Sequence, residues 1–515
     1  MCKALGERSR NAQKIGDLMT ISFIVRSWRR IRLRMALLML PGFLAGCAVG
    51  PDYQTPLLLL PTQWGSAKQA QRNAPRLNNW WYGLHDATLN DLMEQAVAGN
   101  LDVATAKANI REARATLHQA RGTLFPVIDG VSSSTWNEAS SDGSTSGVST
   151  FSRQFEKGFD SSWEIDVFGA NRRGLEAAVY GSEAADEQLR ATLLTLVGDV
   201  ASYYVDVRGY QERIALAKRT AASQRSTAGL TRAKFQAGTS SAVDLANAEG
   251  LAAGTEANIP ELQISLAESI HRLSVLTGQP PSALSAGLNK AAPVPSARLN
   301  VPAGIPADVL LNRPDVRLAE RQLAQYTAKI GQAEAARYPS VSLTGDISTS
   351  ATHFGDLFKG STISWAFGPS VTVPIFHGGQ LKAAVELAEA ERDTYFIAYR
   401  SSVLTALEDV ENSLVGLSQE RVRNRKLSES AKAYRQATTL SRALYQSGST
   451  SFLDVLDAER SLYSAEDTLI ESNVSIVKDY ISLNKALGGG WNKPVDASQP
   501  EIIDRNTGPH FAYRS

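Results

Sequence analysis

The chain has 515 residues, 53 lysines and arginines against 52 acids, and 43% hydrophobic residues, which excludes a disordered, collagen-like or disulfide-stapled protein and leaves room for more than one core. Near-neutrality removes any whole-molecule argument for nucleic acid. The one basic run beyond the leader, Arg421 to Lys426, reads as a solvated helix face.

At the N-terminus a basic stretch with Arg26, Arg29, Arg30, Arg32 and Arg34 precedes about ten apolar residues from Met35 to Ala45, ending in Leu44-Ala45-Gly46-Cys47. These are the parts of a bacterial export signal, whose apolar region is too short to span a bilayer. Residues 1–46 are therefore predicted to be signal peptide and leader, with Met19 and Met35 as alternative starts. The mature chain is predicted to begin at Cys47, the expected point of lipid attachment, and 47–85 to form a lipid-anchored N-terminal segment. One cysteine then remains, so no internal disulfide forms. Past Cys47 no run approaches the roughly eighteen apolar residues of a transmembrane helix, which leaves any membrane crossing to strands.

The rest of the chain is duplicated at an offset of about 210 residues. Arg232-Ala-Lys-Phe-Gln-Ala-Gly238-Thr-Ser-Ser241-Ala-Val-Asp244 lies over Arg442-Ala-Leu-Tyr-Gln-Ser-Gly448-Ser-Thr-Ser451-Phe-Leu-Asp454, and Phe125-Pro126 answers Tyr338-Pro339. A first repeat is assigned to 86–278 and a second to 307–488. The proline-rich stretch 279–306 connects them and 489–515 is a tail. Each repeat is predicted to run helix, β-hairpin (126–169 and 340–376), long helix, tip turn (near 238 and 448), return helix. Alanine, leucine, glutamate, arginine and glutamine dominate from Asn171 to Gln236 and from Gln380 to Gln446, where an unbroken helix would span on the order of 100 Å. Such rods must pack lengthwise, with Gly198, Gly209, Gly229 and Gly416 as expected irregularities and Pro260 as an expected kink.

The hairpin strands alternate with a period of two. Ile363, Trp365, Phe367, Val371 and Val373 oppose small or polar neighbours, and Phe155, Phe159, Trp163 and Ile165 oppose Glu156, Asp160, Glu164 and Asp166. One face suits lipid and the other water. Four strands cannot close a membrane barrel, since an open edge leaves backbone groups unpaired in hydrocarbon. Two chains would supply eight strands and three twelve, and a usable lumen favours twelve. Rotational symmetry would then continue the barrel as a ring of helices, so conduction is the implied function.

These residues, with C-A-V-G-P-D-Y-Q-T-P at Cys47, W-W-Y-G-L-H-D-A-T-L at Trp80, N-R-P-D-V-R-L-A-E at Asn312 and G-S-T-S-F-L-D-V-L-D-A-E-R at Gly448, resemble the TolC-like outer-membrane efflux proteins, in their lipoprotein branch of nodulation-factor and multidrug export components. The resemblance implies a mixed α and β membrane protein: a homotrimer with a twelve-stranded β-barrel, four strands per chain, continued by a long periplasmic α-helical barrel. It implies a covalent lipid on Cys47 and no other cofactor. The implied partners are outer-membrane lipid, a periplasmic adaptor and a proton-driven inner-membrane pump of the resistance-nodulation-division type.

By the same resemblance the turns form the periplasmic mouth, with Gly238, Thr239, Gly448, Ser449, Thr450 and Phe452 as the expected adaptor contacts. Two readings of the nearby acids stay open. Asp244 and Asp454 fit capping boxes with Ser241 and Ser451, or Asp244, Asp454 and Asp457 ring a closed mouth as gate carboxylates. Catalytic and metal motifs are not found in the sequence, so the expectation is a passive duct for drugs or other toxic small molecules and not an enzyme. A protein-secretion duct and a non-pore periplasmic lipoprotein scaffold are the alternatives.

Overall fold

The computed structural model describes residues 48–58, 78–140, 149–295 and 307–502. Cys47, the polar loop between the first two strands and much of the proline-rich connector lie outside them. The first copy runs α1 (Ala87–Gly99), α2 (Leu101–Gly122), β1 (Val127–Ser140), β2 (Ser149–Ile165), α3 (Ala170–Gln236) and α4 (Ala242–Leu276). The second runs α5 (Pro314–Ala335), β3 (Ser340–Ala351), β4 (Ile363–Thr372), α6 (Gln380–Ser447) and α7 (Phe452–Ala486). The first copy thus opens with two helices where one was expected. The break falls at Asn100, whose Oδ1 accepts from Asp102 N at 2.9 Å and Val103 N at 3.1 Å and so caps α2.

The chain divides into two compact units. In the first, made of 48–53, 118–177 and 326–392, the four strands form one antiparallel sheet in the order β1-β2-β3-β4. The two hairpins are therefore joined by β2 and β3, with Phe159 opposite Ile347 and Trp163 opposite Leu343, while β1 and β4 are the edges. Because paired residues share a face, the register sorts the sheet cleanly. One face carries Phe155, Phe159, Trp163, Ile347, Trp365 and Phe367; the other carries Asp129, Glu156, Asp160, Glu164 and Asp346 among serines and threonines. The apolar face is left open, with Trp365 76% and Phe367 68% exposed.

The second unit is helical. Its core gathers Trp81, Leu89 and Met93, then Val103 and Ile110, around Val200, Tyr204 and Val205 of α3, closed by Leu273 of α4 and Ile481 of α7. Burying such side chains contributes about 1.5–3 kcal/mol each. The segment before α1 meets the segment after α7 here: Trp81 stacks on Trp491 at 6.1 Å, and Trp80 Nε1 donates to Gly489 O at 3.1 Å. Ion pairs fix the register of α3 against α7, Arg213 with Asp467 at 2.8 Å and Lys478 with Asp206 at 2.8 Å.

The long helices α3 and α6 run 67 and 68 residues, straight through all four glycines expected to disturb them. Gly209 instead admits a neighbour, since a Cβ there would stand 2.5 Å from Val474 Cγ2. α4 likewise continues past Pro260.

Candidate functional site

Both tip turns are built in the same way. At the end of α3, Gly238 N donates to Phe235 O at 2.9 Å and Thr239 N to Lys234 O at 2.8 Å; at the end of α6, Gly448 N donates to Tyr445 O at 3.1 Å and Ser449 N to Leu444 O at 2.8 Å. This paired bonding ends a helix on a left-handed residue, and the glycines have φ of +73° and +80°. Three residues after each glycine, Ser241 and Ser451 cap the next helix. Ser241 N donates to Asp244 Oδ2 and Asp244 N to Ser241 Oγ, both at 3.0 Å. In the second copy Asp454 Oδ2 accepts from Ser451 N at 3.2 Å, from Ser451 Oγ at 3.0 Å and from the Thr450 hydroxyl. These bonds hold both carboxyls below the usual range. For Asp244 the largest cause is the Ser241 backbone N–H, and for Asp454 the Thr450 hydroxyl. Asp457 is exposed and makes no such bond.

Phe452 corrects one expectation. It is only 3% exposed, packed edge-on to Tyr445 with ring centroids 5.8 Å apart in a cluster with Ala228, Ala248 and Val455. An aromatic ring in the first turn of α7 finds its burial within its own chain, so it supports the tip and offers no docking surface. Among the apolar side chains that the tips do expose, Val243 at 67% and Leu453 at 60% occupy equivalent positions of the two copies that the sequence reading passed over. Their shared position in the repeat register was the available signal.

Behind the tips, α6 and α7 are tied to α3. Glu459, 3% exposed, accepts from Thr227 Oγ1 and Arg442 Nε, both at 2.8 Å. Tyr445 Oη donates to Thr231 Oγ1 at 3.1 Å, and the Lys234 ammonium lies 4.2 Å from the centre of the Tyr445 ring while donating to its carbonyl. The counterpart pair in the first copy, Arg232 with Glu249, is exposed.

In the sheet unit, the residues that follow Cys47 are clamped. Val49 N donates to Phe168 O at 3.1 Å, and Arg173, whose side chain is 5% exposed, reaches Val49 O, Gly50 O and Asp52 at 2.8–3.1 Å. A Cβ on Gly50 would stand 2.3 Å from Gly331 Cα, so the segment lies in a notch that only glycine fits. The chain two residues past Cys47 is thus held beside Phe168, three residues after the end of β2.

The outer membrane efflux protein family matches residues 92–279 and 305–489, more than half of the chain and both copies of the repeat. The chain belongs to this family. The efflux protein is 35% identical over 455 residues to nodulation protein T of Rhizobium leguminosarum bv. trifolii, covering 88% of this chain and 97% of that protein. It is 32% identical over 459 residues to the toluene efflux pump outer membrane protein TtgI of Pseudomonas putida, covering 87% and 96%. The solved outer-membrane channel OprN superposes with a TM-score of 0.81 at 32% identity, over 86% of this chain and all of that one. The efflux protein therefore has the fold of the TolC-like outer-membrane channels, mostly helical with one four-stranded sheet per chain, and acts as an outer-membrane efflux channel with a periplasmic extension.

Proposed function

We propose that three copies of the efflux protein close a twelve-stranded barrel and form the passive outer-membrane duct of a tripartite pump. In this reading it conducts drugs or other toxic small molecules delivered by a periplasmic adaptor and an inner-membrane pump of the resistance-nodulation-division type. The observation that carries the reading is the sheet: β1 and β4 are edges, one face is apolar and open, and the other bears carboxylates and hydroxyls. In hydrocarbon such edges must pair, and β1 of one copy beside β4 of the next closes the ring with its apolar face on lipid. Relatives named as efflux-pump outer-membrane proteins support the cargo class, and a family of channel proteins supports a conduit over an enzyme. Cys47 carries the lipid, and the clamp on Val49 and Gly50 supports an anchor held beside the sheet. The tip turns, with Gly238, Thr239, Gly448, Ser449 and Thr450 and the exposed Val243 and Leu453, meet the adaptor. Asp244 and Asp454 serve there as caps, whereas Asp457 is left free to face a gate.

The test is electrophoresis of native outer membranes with and without heating, together with planar-bilayer conductance of the purified protein. A heat-sensitive trimer that passes ions supports the duct. A single species of unchanged mobility without conductance would favour a lipid-anchored scaffold and sink it. Cys47→Ser, followed by mass spectrometry, tests the anchor separately.

A further inference from the structure

Between α3, α4 and α7, in the helical unit, lies a cavity of about 440 Å³. Gln224 of α3 forms part of its wall: the residue is 1% exposed, and among the described residues neither its Oε1 nor its Nε2 has a hydrogen-bond partner. A buried amide left unsatisfied destabilises the fold, a cost that an incoming acceptor for its Nε2 would reduce. Gly250 and Gly254, one turn apart on α4, line the same cavity with open space where a Cβ would stand, so a partner backbone can come close. Arg460 of α7 also lines it and has no ion pair among the described residues, while Glu249 is engaged by Arg232, Glu256 by Arg225, and Asp467 and Glu471 by Arg213; Asp457, three residues before Arg460 and outside the lining, is the neighbouring acid left free. The lining thus carries one cation and no anion.

We propose that this cleft receives a carboxylate side chain, aspartate or glutamate, from a helix of the periplasmic partner, with Arg460 holding the anion and Gln224 Nε2 donating to it. The inference rests on the adaptor reading above. It names the group recognised and places it two to three turns of α4 from the tip, beyond the turn residues themselves. Arginine is suited to this task because its planar donors match a carboxylate.

The experiment places a photo-crosslinking amino acid at Ala246, on the cavity wall, in the full-length protein in cells, and maps the adducts by mass spectrometry. The expected result is an adduct with a helix of a periplasmic protein containing an acid. Arg460→Glu should reduce it at least tenfold, and the reverse charge swap on the mapped acid should restore it. Gln224→Leu, of similar volume, should raise thermal stability and still weaken the adduct, a combination that a purely structural glutamine would not give. An adduct insensitive to Arg460→Glu, one mapping to a segment without acids, or one only with a second copy of this chain overturns the proposal. Heat-modifiable mobility of the same samples reports on the trimeric duct independently.

Discussion

Asp160 on β2 stands directly opposite Asp346 on β3, in register across the seam that joins the two halves of the duplicated chain. Asp129 on β1 extends the row by facing Asp160 from the other side, and none of the three has an ion pair among the described residues. Like charges directly opposed on a sheet cost roughly 0.2–1 kcal/mol per pair, so water must screen this row. In a closed barrel it would line the lumen. Asp160→Asn with Asp346→Asn is expected to lower the cation share of the current, read as reversal potential in a salt gradient, while raising thermal stability slightly. An unchanged reversal potential would remove the row from the conduction path.

Arg313 locks three parts of the second copy together. Its Nη1 donates to Ala486 O at 2.8 Å, at the end of α7, and Nη2 to Asp315 at 2.7 Å and to Asp409 of α6 at 3.1 Å. With the arginine side chain 6% exposed and its acids nearly half exposed, Arg313→Ala should cost about 2–3 kcal/mol of stability. Lysine should recover only part, since its donors sit on one nitrogen and cannot span acceptors that the guanidinium reaches from Nε, Nη1 and Nη2. Thermal unfolding of the detergent-solubilised protein checks both.

Gly238→Val and Gly448→Val should each destabilise their turn by about 1–3 kcal/mol, through backbone strain alone, since a Cβ at either position would meet no other part of the described chain within 4 Å. Gly229→Ala, in the interior of α3 with equally open surroundings, should instead stabilise by about 0.5–1 kcal/mol. Hydrogen exchange along 230–244 and 444–454 distinguishes the two effects. Export and adaptor crosslinking that survive both valine variants would remove the turns from docking.

Asp244 and Asp454 give the tips a defined pH response. Their carboxyls lie lower in the folded chain than the unfolded value near 3.9, so the stabilisation is complete above about pH 4 and is lost as pH falls through the folded values. Amide exchange at the starts of α4 and α7 should therefore be independent of tip protonation between pH 5 and 7 and rise only in acid. Asp244→Ala should abolish that response in α4 and leave it in α7.

The repeat, the helices, the hairpins and the two faces of the sheet were legible because periodicity and glycine-ended turns are local. Chain order alone also located the tip glycines and their capping acids. The pairing of β2 with β3 was not legible, since it joins strands about 190 residues apart and depends on which hairpin edges meet. Nor was the fate of equivalent residues. Asn100 Nδ2 donates to Leu276 O at 3.0 Å as Arg313 does to Ala486 O, so unlike side chains cap matching helix ends; conversely, the matching acids Glu249 and Glu459 end exposed in one copy and buried against Thr227 in the other. Sequence determined the elements and their repeat, because these rest on contacts within a few residues. Which side of each element is covered was decided only when distant helices packed, and that packing turned Phe452 inward, buried Glu459 and left Gln224 without a partner among the described residues.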